Sequence, residues 1–173
     1  MGAIGSSHKV NLIAALLSRD ADVLCDSRKA LMRRFGRIDL EGPVTDFTHT
    51  TYYDDEMGRP LMRQYLSFKR LFDQRGICSI KLISNAIESR FAKSGKRTVN
   101  IDPGYLDLAK LVLFSTKDYT HRIYLDKGIF AEVTLFYKDK GFNPWPLTYP
   151  DYKEPRSIDF FNEVRRLYKV KIS

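Results

Sequence analysis

Apolar residues run from Val10 to Leu17 with only Asn11 between them, and a run of that length bounded by charge predicts a strand buried on both faces. The period then changes. Leu24, Leu31 and Phe35 recur on one helical face, Asp20 and Asp22 precede them, and Arg33 and Arg34 stand just before Gly36. Acids first, bases last and a terminal glycine predict a helix over 20–35. Residues 37–53 read as extended chain broken by Gly42 and Pro43, and 52–60 as a polar, turn-rich connection. From Leu61 to Phe72, Met62, Leu66 and Phe68 alternate with polar neighbours, which predicts a strand. Ile77, Ile80, Ile83, Ile87 and Phe91 return to helical spacing over 76–92, leaving Lys81, Asn85 and Glu88 together on the opposite face. A short strand over 97–102 is expected to end at Pro103 and Gly104.

Strand, helix, strand, strand, helix, strand is the split βαβ order of ferredoxin-like folds. The expected class is therefore α+β, a single domain over 1–173 with a mostly antiparallel sheet and a disordered stretch at 1–8. Residues 106–114 are apolar enough for a strand or a helix, with a short helix favoured. An amphipathic helix over 157–169 closes the chain, with Asp159 and Glu163 early and Arg165, Arg166 and Lys169 late.

Between them, 121–125 and 129–137 flank Asp126-Lys127-Gly128, expected to form a three-residue hairpin loop with a bulge. That register sets Arg122 opposite Glu132, Tyr124 opposite Phe130 and His121 opposite Val133. A slip of one residue would oppose Arg122 to Val133 and Ile123 to Glu132, so polarity selects the first register. One face then carries Arg122, Tyr124, Phe130, Glu132 and Thr134, the other Ile123, Leu125, Ala131, Val133 and Leu135. An exposed Arg122–Glu132 pair would be worth ~0–1 kcal/mol, whereas inside a cleft it would orient a ligand.

The formal net charge of +8 is concentrated between Arg59 and Arg97, where ten bases face two acids. Such a unit can serve as a solvated face or attract phosphate or nucleic acid. Cys25 and Cys78 have no CxxC or His partner, which fits reduced thiols in a cytoplasmic protein rather than a disulfide or zinc site. No run approaches the ~18 apolar residues of a membrane span, so no membrane association is expected.

Candidate chemistry gathers in RTVNIDPGY at 97–105 and in the segment that follows. His121, with Asp102 or Glu132 as orienting carboxylate, is the candidate for proton transfer. Lys81, Arg97, Asn100, Tyr105, Lys117, Arg122 and Asp151 are candidate ligand-binding residues. No short-spaced ligand pair such as HExxH points to a metal, and the cofactor, if there is one, is unknown from the sequence. A P-loop is excluded at SGKRT (94–98), which lacks the first glycine, has arginine where the hydroxyl belongs, and follows a helix rather than preceding one. Paired His-x-Thr motifs fail as well: His49-Thr50-Thr51 fits, but His121-Arg122-Ile123 lacks the hydroxyl.

TYYDDEMG (51–58), LSFKRL (66–71), RTVNIDPGY (97–105), STK (115–117), HRIYL (121–125), EVTL (132–135) and TYPDY (148–152) together resemble a bacterial family of uncharacterised proteins, a domain of unknown function, over essentially the full chain. The resemblance implies a bacterial protein with no assigned reaction, loosely labelled GTP-binding. The residues themselves point first to a cytosolic protein that binds a phosphorylated small molecule or nucleotide in a polar cleft built by 97–134. The alternatives are a nucleic-acid-binding module using the basic 59–97 unit and a non-catalytic assembly or scaffold protein. Whether it is an enzyme, and its oligomeric state, are left open at this point.

Overall fold

The computed structural model describes residues 2, 3 and 5–173. Met1 and Ile4, two of the residues expected to be disordered, lie outside that set. Ser7 and His8 lie against the end of the sheet, near Asp73 and Asp107.

The chain forms β1 (Lys9–Ser18), α1 (Ala21–Phe35), β2 (Ile38–Glu41), β3 (Thr45–Phe47), α2 (Asp54–Met57), β4 (Leu61–Asp73), α3 (Ile77–Phe91), β5 (Asn100–Leu106), β6 (Lys110–Ser115), β7 (Ile123–Asp126), β8 (Ile129–Lys138), β9 (Gly141–Pro144), α4 (Pro150–Lys153) and α5 (Pro155–Ile172). The strands make one antiparallel sheet in the order β2-β4-β1-β5-β6-β8-β7, with β3 beside β4 and β9 beside β8. Its first four positions are the expected ferredoxin-like arrangement, and β6 to β9 extend it. The fold is α+β.

Helix α1 starts where Asp20 accepts hydrogen bonds from the Asp22 and Val23 amides and stops at Gly36, whose φ of 94° suits a residue without a Cβ. Val10, Leu12, Ala14 and Leu16 of β1 pack against α1 and α3, while Ile13 and Ala15 face the opposite core, filled by Phe160, Phe161, Val164 and Tyr168 of α5. Because both faces are covered, β1 is buried almost throughout, as its nearly continuous apolar run predicts.

Four expectations are corrected. Pro103 and Gly104 do not end a strand: β5 runs through them to Leu106. Gly104 is needed there, because an added Cβ would come within 2.4 Å of the Val112 carbonyl oxygen and 2.8 Å of Leu113 Cδ2. The 106–114 segment holds the end of β5 and most of β6, not a helix; its apolar alternation fills both cores. The hairpin keeps the predicted opposition of Tyr124 to Phe130, but it turns on Lys127 and Gly128, both with positive φ, so the loop has two residues rather than three. Finally, Leu111 pairs with Leu135 and Val112 with Val133, which leaves Thr134 as a bulge and brings Leu135 to the α5 face, the face that Glu132 shares with Leu113.

Candidate functional site

Strands β5 and β6 pair only from Gly104–Leu113 to Leu106–Leu111. In an antiparallel strand the backbone groups of alternate residues point to the same neighbour, so Ile101, Pro103 and Tyr105 are the residues of β5 that face β6. Tyr105 is paired, Pro103 has no N–H to offer, and the ladder stops there. Side chains of α3 take the place of the missing strand. The Ile101 amide donates to Glu88 Oε1 (2.6 Å), and Lys81 Nζ donates to the Ile101 carbonyl (3.1 Å). The cleft opens in this gap, with α2 and Tyr52–Tyr53 on one side and Tyr149 and α4 on the other.

Two polar networks line it. The first begins at Glu56, which takes a bidentate bond from Arg97 (2.8 and 2.6 Å); Arg97 Nη1 donates to Asn100 Oδ1 (2.8 Å), and Asn100 Nδ2 to Asp102 Oδ2 (2.8 Å). Asp102 lies 3.7 Å from Arg63 Nη1, Arg63 Nε lies 3.1 Å from Asp151 Oδ2, and Asp151 accepts from the Tyr65 hydroxyl (3.1 Å). The Arg63 guanidinium rests over the Phe47 ring and is almost wholly buried, and its Nε and Nη1 have neither solvent nor a well-aligned acceptor. Burial opposes its charge, but Asp151 and its neighbours hold it firmly protonated.

The second network centres on Glu132, 3% exposed. It accepts from Arg122 Nε (2.7 Å), lies 2.9 Å from His121 Nε2, and takes the Thr134 hydroxyl at 3.3 Å. Arg122 also donates to the Lys117 carbonyl (2.9 Å) and to the Tyr149 hydroxyl. Burial raises the Tyr149 phenol, which keeps its proton available. Lys117, at the rim, donates to the Tyr52 hydroxyl and stands 4.2 Å from the centre of that ring.

The two carboxylates flanking Arg97 are tuned oppositely. Hydrogen bonds from Arg97 lower Glu56 below its usual value, whereas burial raises Glu88 despite the opposing field of Lys81. A folded-state pKa above the unfolded one contributes stability that is fully present below the unfolded value and is lost as pH rises through the folded value. Glu88→Gln, which keeps an acceptor for Ile101, should therefore gain melting temperature relative to the parent as pH is raised from about 4 to about 8. Melting curves of both proteins across that range check this, and a flat or opposite difference contradicts it.

Of the ten sequence-predicted residues, Lys81, Arg97, Asn100, Asp102, Lys117, Arg122, Glu132 and Asp151 line this one cleft. His121 and Tyr105 line a separate apolar groove with Val133, Trp145 and Leu147. A carboxylate beside a guanidinium accepts hydrogen bonds, so His121 carries its hydrogen on Nε2; its Nδ1 is sealed and without a partner. Of the two carboxylates expected to orient it, Glu132 lies beside the imidazole, whereas Asp102 belongs to the cleft that His121 does not line. The sequence reading missed Arg63, Tyr52, Tyr53, Glu88 and Tyr149. Tyr52, Tyr53 and Tyr149 carried a signal, from the TYYDDEMG and TYPDY strings. Among the described residues no three His, Cys, Asp or Glu side chains converge as metal ligands, and no helix is long and apolar enough to cross a membrane.

A family model described as a domain of unknown function, DUF4416, matches residues 8–168. The chain belongs to that family. The match takes in every residue of the cleft, so the DUF4416 domain holds the whole site. No curated protein and no solved structure matches the chain.

Proposed function

We propose that the cleft binds a small phosphorylated molecule or nucleotide in a cytosolic, bacterial protein. The observation that carries this reading is Lys117: an ammonium held at the rim over an aromatic ring, with no carboxylate within 4 Å among the described residues, facing a cavity of about 350 Å³. That volume suits a ligand of mononucleotide size. Ser115 and Thr116 add hydroxyl-bearing side chains to the lining, while Tyr52, Tyr149 and Leu113 supply apolar walls for a ring. Asp102, about 29% exposed, is the acceptor for a ligand hydroxyl or amine. Arg122, Arg63, Arg97 and Lys81 are engaged by the protein, so they brace the walls and contribute field. Two free thiols accord with a reducing compartment.

The test is a thermal-shift series with AMP, GMP, GTP, ribose 5-phosphate and inorganic phosphate. A ligand at about 100 times its Kd adds about 2.7 kcal/mol, which raises the melting temperature of a chain this size by roughly 5–10 °C. Lys117→Ala should abolish the shift and leave the ligand-free melting temperature within about 2 °C, as expected for an exposed side chain. A panel that moves nothing, or a shift that survives Lys117→Ala, removes the reading.

A further inference from the structure

The basic surface takes in only part of the unit that the linear charge pattern marks. Of the ten bases between Arg59 and Arg97, Arg59, Arg75 and Arg97 are paired with Asp54, Asp73 and Glu56, and Arg63 and Lys81 are buried. Two of the unneutralised arginines of that unit, Arg70 and Arg90, join Arg33 and Arg34 from outside it. Arg33 and Arg34 in the last turn of α1 and Arg90 in the last turn of α3 line one groove of about 320 Å³ between the two helices, floored by Ala30, Ala86 and Ile87. Arg70 of β4 stands beside Gly36 at the end of α1, its guanidinium over Phe72. All four are exposed, and among the described residues none has a carboxylate within 4 Å, whereas eleven other lysines and arginines do.

Two bases at a helix end can be explained by the helix dipole alone. That does not account for a third arginine brought from α3 and a fourth from β4, neither of them with an ion-pair partner among the described residues. Guanidinium is the group best matched to phosphate, since its planar fork donates two parallel hydrogen bonds. The large exposed aromatic side chains, Tyr52, Tyr119, Tyr124, Trp145 and Tyr149, belong to other segments of the chain, so the patch has none to stack bases or enter a bilayer.

We propose that this arginine groove docks the sugar-phosphate backbone of a nucleic-acid duplex, without reading its sequence. The proposal is independent of the ligand in the cleft, because none of its residues lines that cleft. Four phosphate contacts imply that log K falls against log salt with a slope of about −3 to −4.

Fluorescence anisotropy of labelled DNA and RNA duplexes of about 20 base pairs, at about 50 mM salt, tests it. The triple variant Arg33→Glu, Arg34→Glu, Arg90→Glu should weaken binding to at least one duplex by about a hundredfold, and the milder Arg33→Gln, Arg34→Gln, Arg90→Gln by about tenfold. A control reversing Lys127, Lys138 and Lys169, exposed cations elsewhere, to glutamate should retain most of the affinity. The glutamine variant keeps the test valid if the charge reversal fails to fold. Absence of duplex binding overturns the proposal, whether or not vesicles containing phosphatidylserine are bound. So does an equal loss in the control, which would make net charge alone responsible.

Discussion

Arg63→Ala should lower the folding stability by about 3–5 kcal/mol, because removing one partner of a buried ion pair leaves the other charge uncompensated. In a chain of this size that is a fall in melting temperature of roughly 10 °C or more. Two carboxylates lose their shared cation. Asp151 is as buried as the guanidinium and suffers most, whereas Asp102 keeps some solvent. Arg63→Met restores contact with Phe47 but not the charge, so it should recover only part of the loss. Adding Asp151→Asn to Arg63→Met removes the stranded charge and should be less destabilised than Arg63→Met alone. Urea denaturation of the parent, Arg63→Met, Asp151→Asn and the double variant gives the coupling directly. A loss below about 1 kcal/mol for Arg63→Ala would mean that the guanidinium behaves as an exposed group.

Arg63 also shows why the sequence revealed half of this molecule and hid the rest. In LMRQYLSF the apolar residues Met62, Leu66 and Phe68 mark one face of β4, which sets Arg63, Tyr65 and Ser67 on the apparently polar face. That face is covered by α4 and α5, some ninety residues farther along the chain, and no local pattern announces the cover. The elements whose cause is local were legible: the caps of α1, the nearly continuous apolar run of β1 and the opposition of Tyr124 to Phe130 in the β7–β8 hairpin. Pro103-Gly104 misled for the converse reason. Its composition reads as a turn, but glycine is required by a carbonyl oxygen of the neighbouring strand, and proline stands where that strand stops pairing. The cleft itself was half legible, since the polar residues of β5 and of the 115–132 segment stand out among apolar neighbours. On the helices Lys81 and Asp151 were legible, but Glu56 and Glu88 look like ordinary helix acids until β5 is laid beside them.

Glu132 provides the second large effect, and it separates two accounts of the Arg122 pair that the sequence left open. As a partner on an exposed hairpin it would be worth ~0–1 kcal/mol. In the structure its side chain is 2% exposed and that of Arg122 is 7% exposed. Glu132→Ala should therefore cost about 3–5 kcal/mol, by stranding a buried guanidinium and leaving His121 and Thr134 without their acceptor. Glu132→Gln keeps one acceptor oxygen and should cost less, about 1–3 kcal/mol. Arg122 is also what ties the Lys117 backbone to Tyr149 across the mouth of the cleft. If that brace matters, Glu132→Gln should weaken the phosphorylated ligand that Lys117 is proposed to hold, even though the lysine is untouched. A stability loss with unchanged ligand affinity would assign the pair to the fold alone, and a loss of both would make it the link through which the hairpin shapes the site.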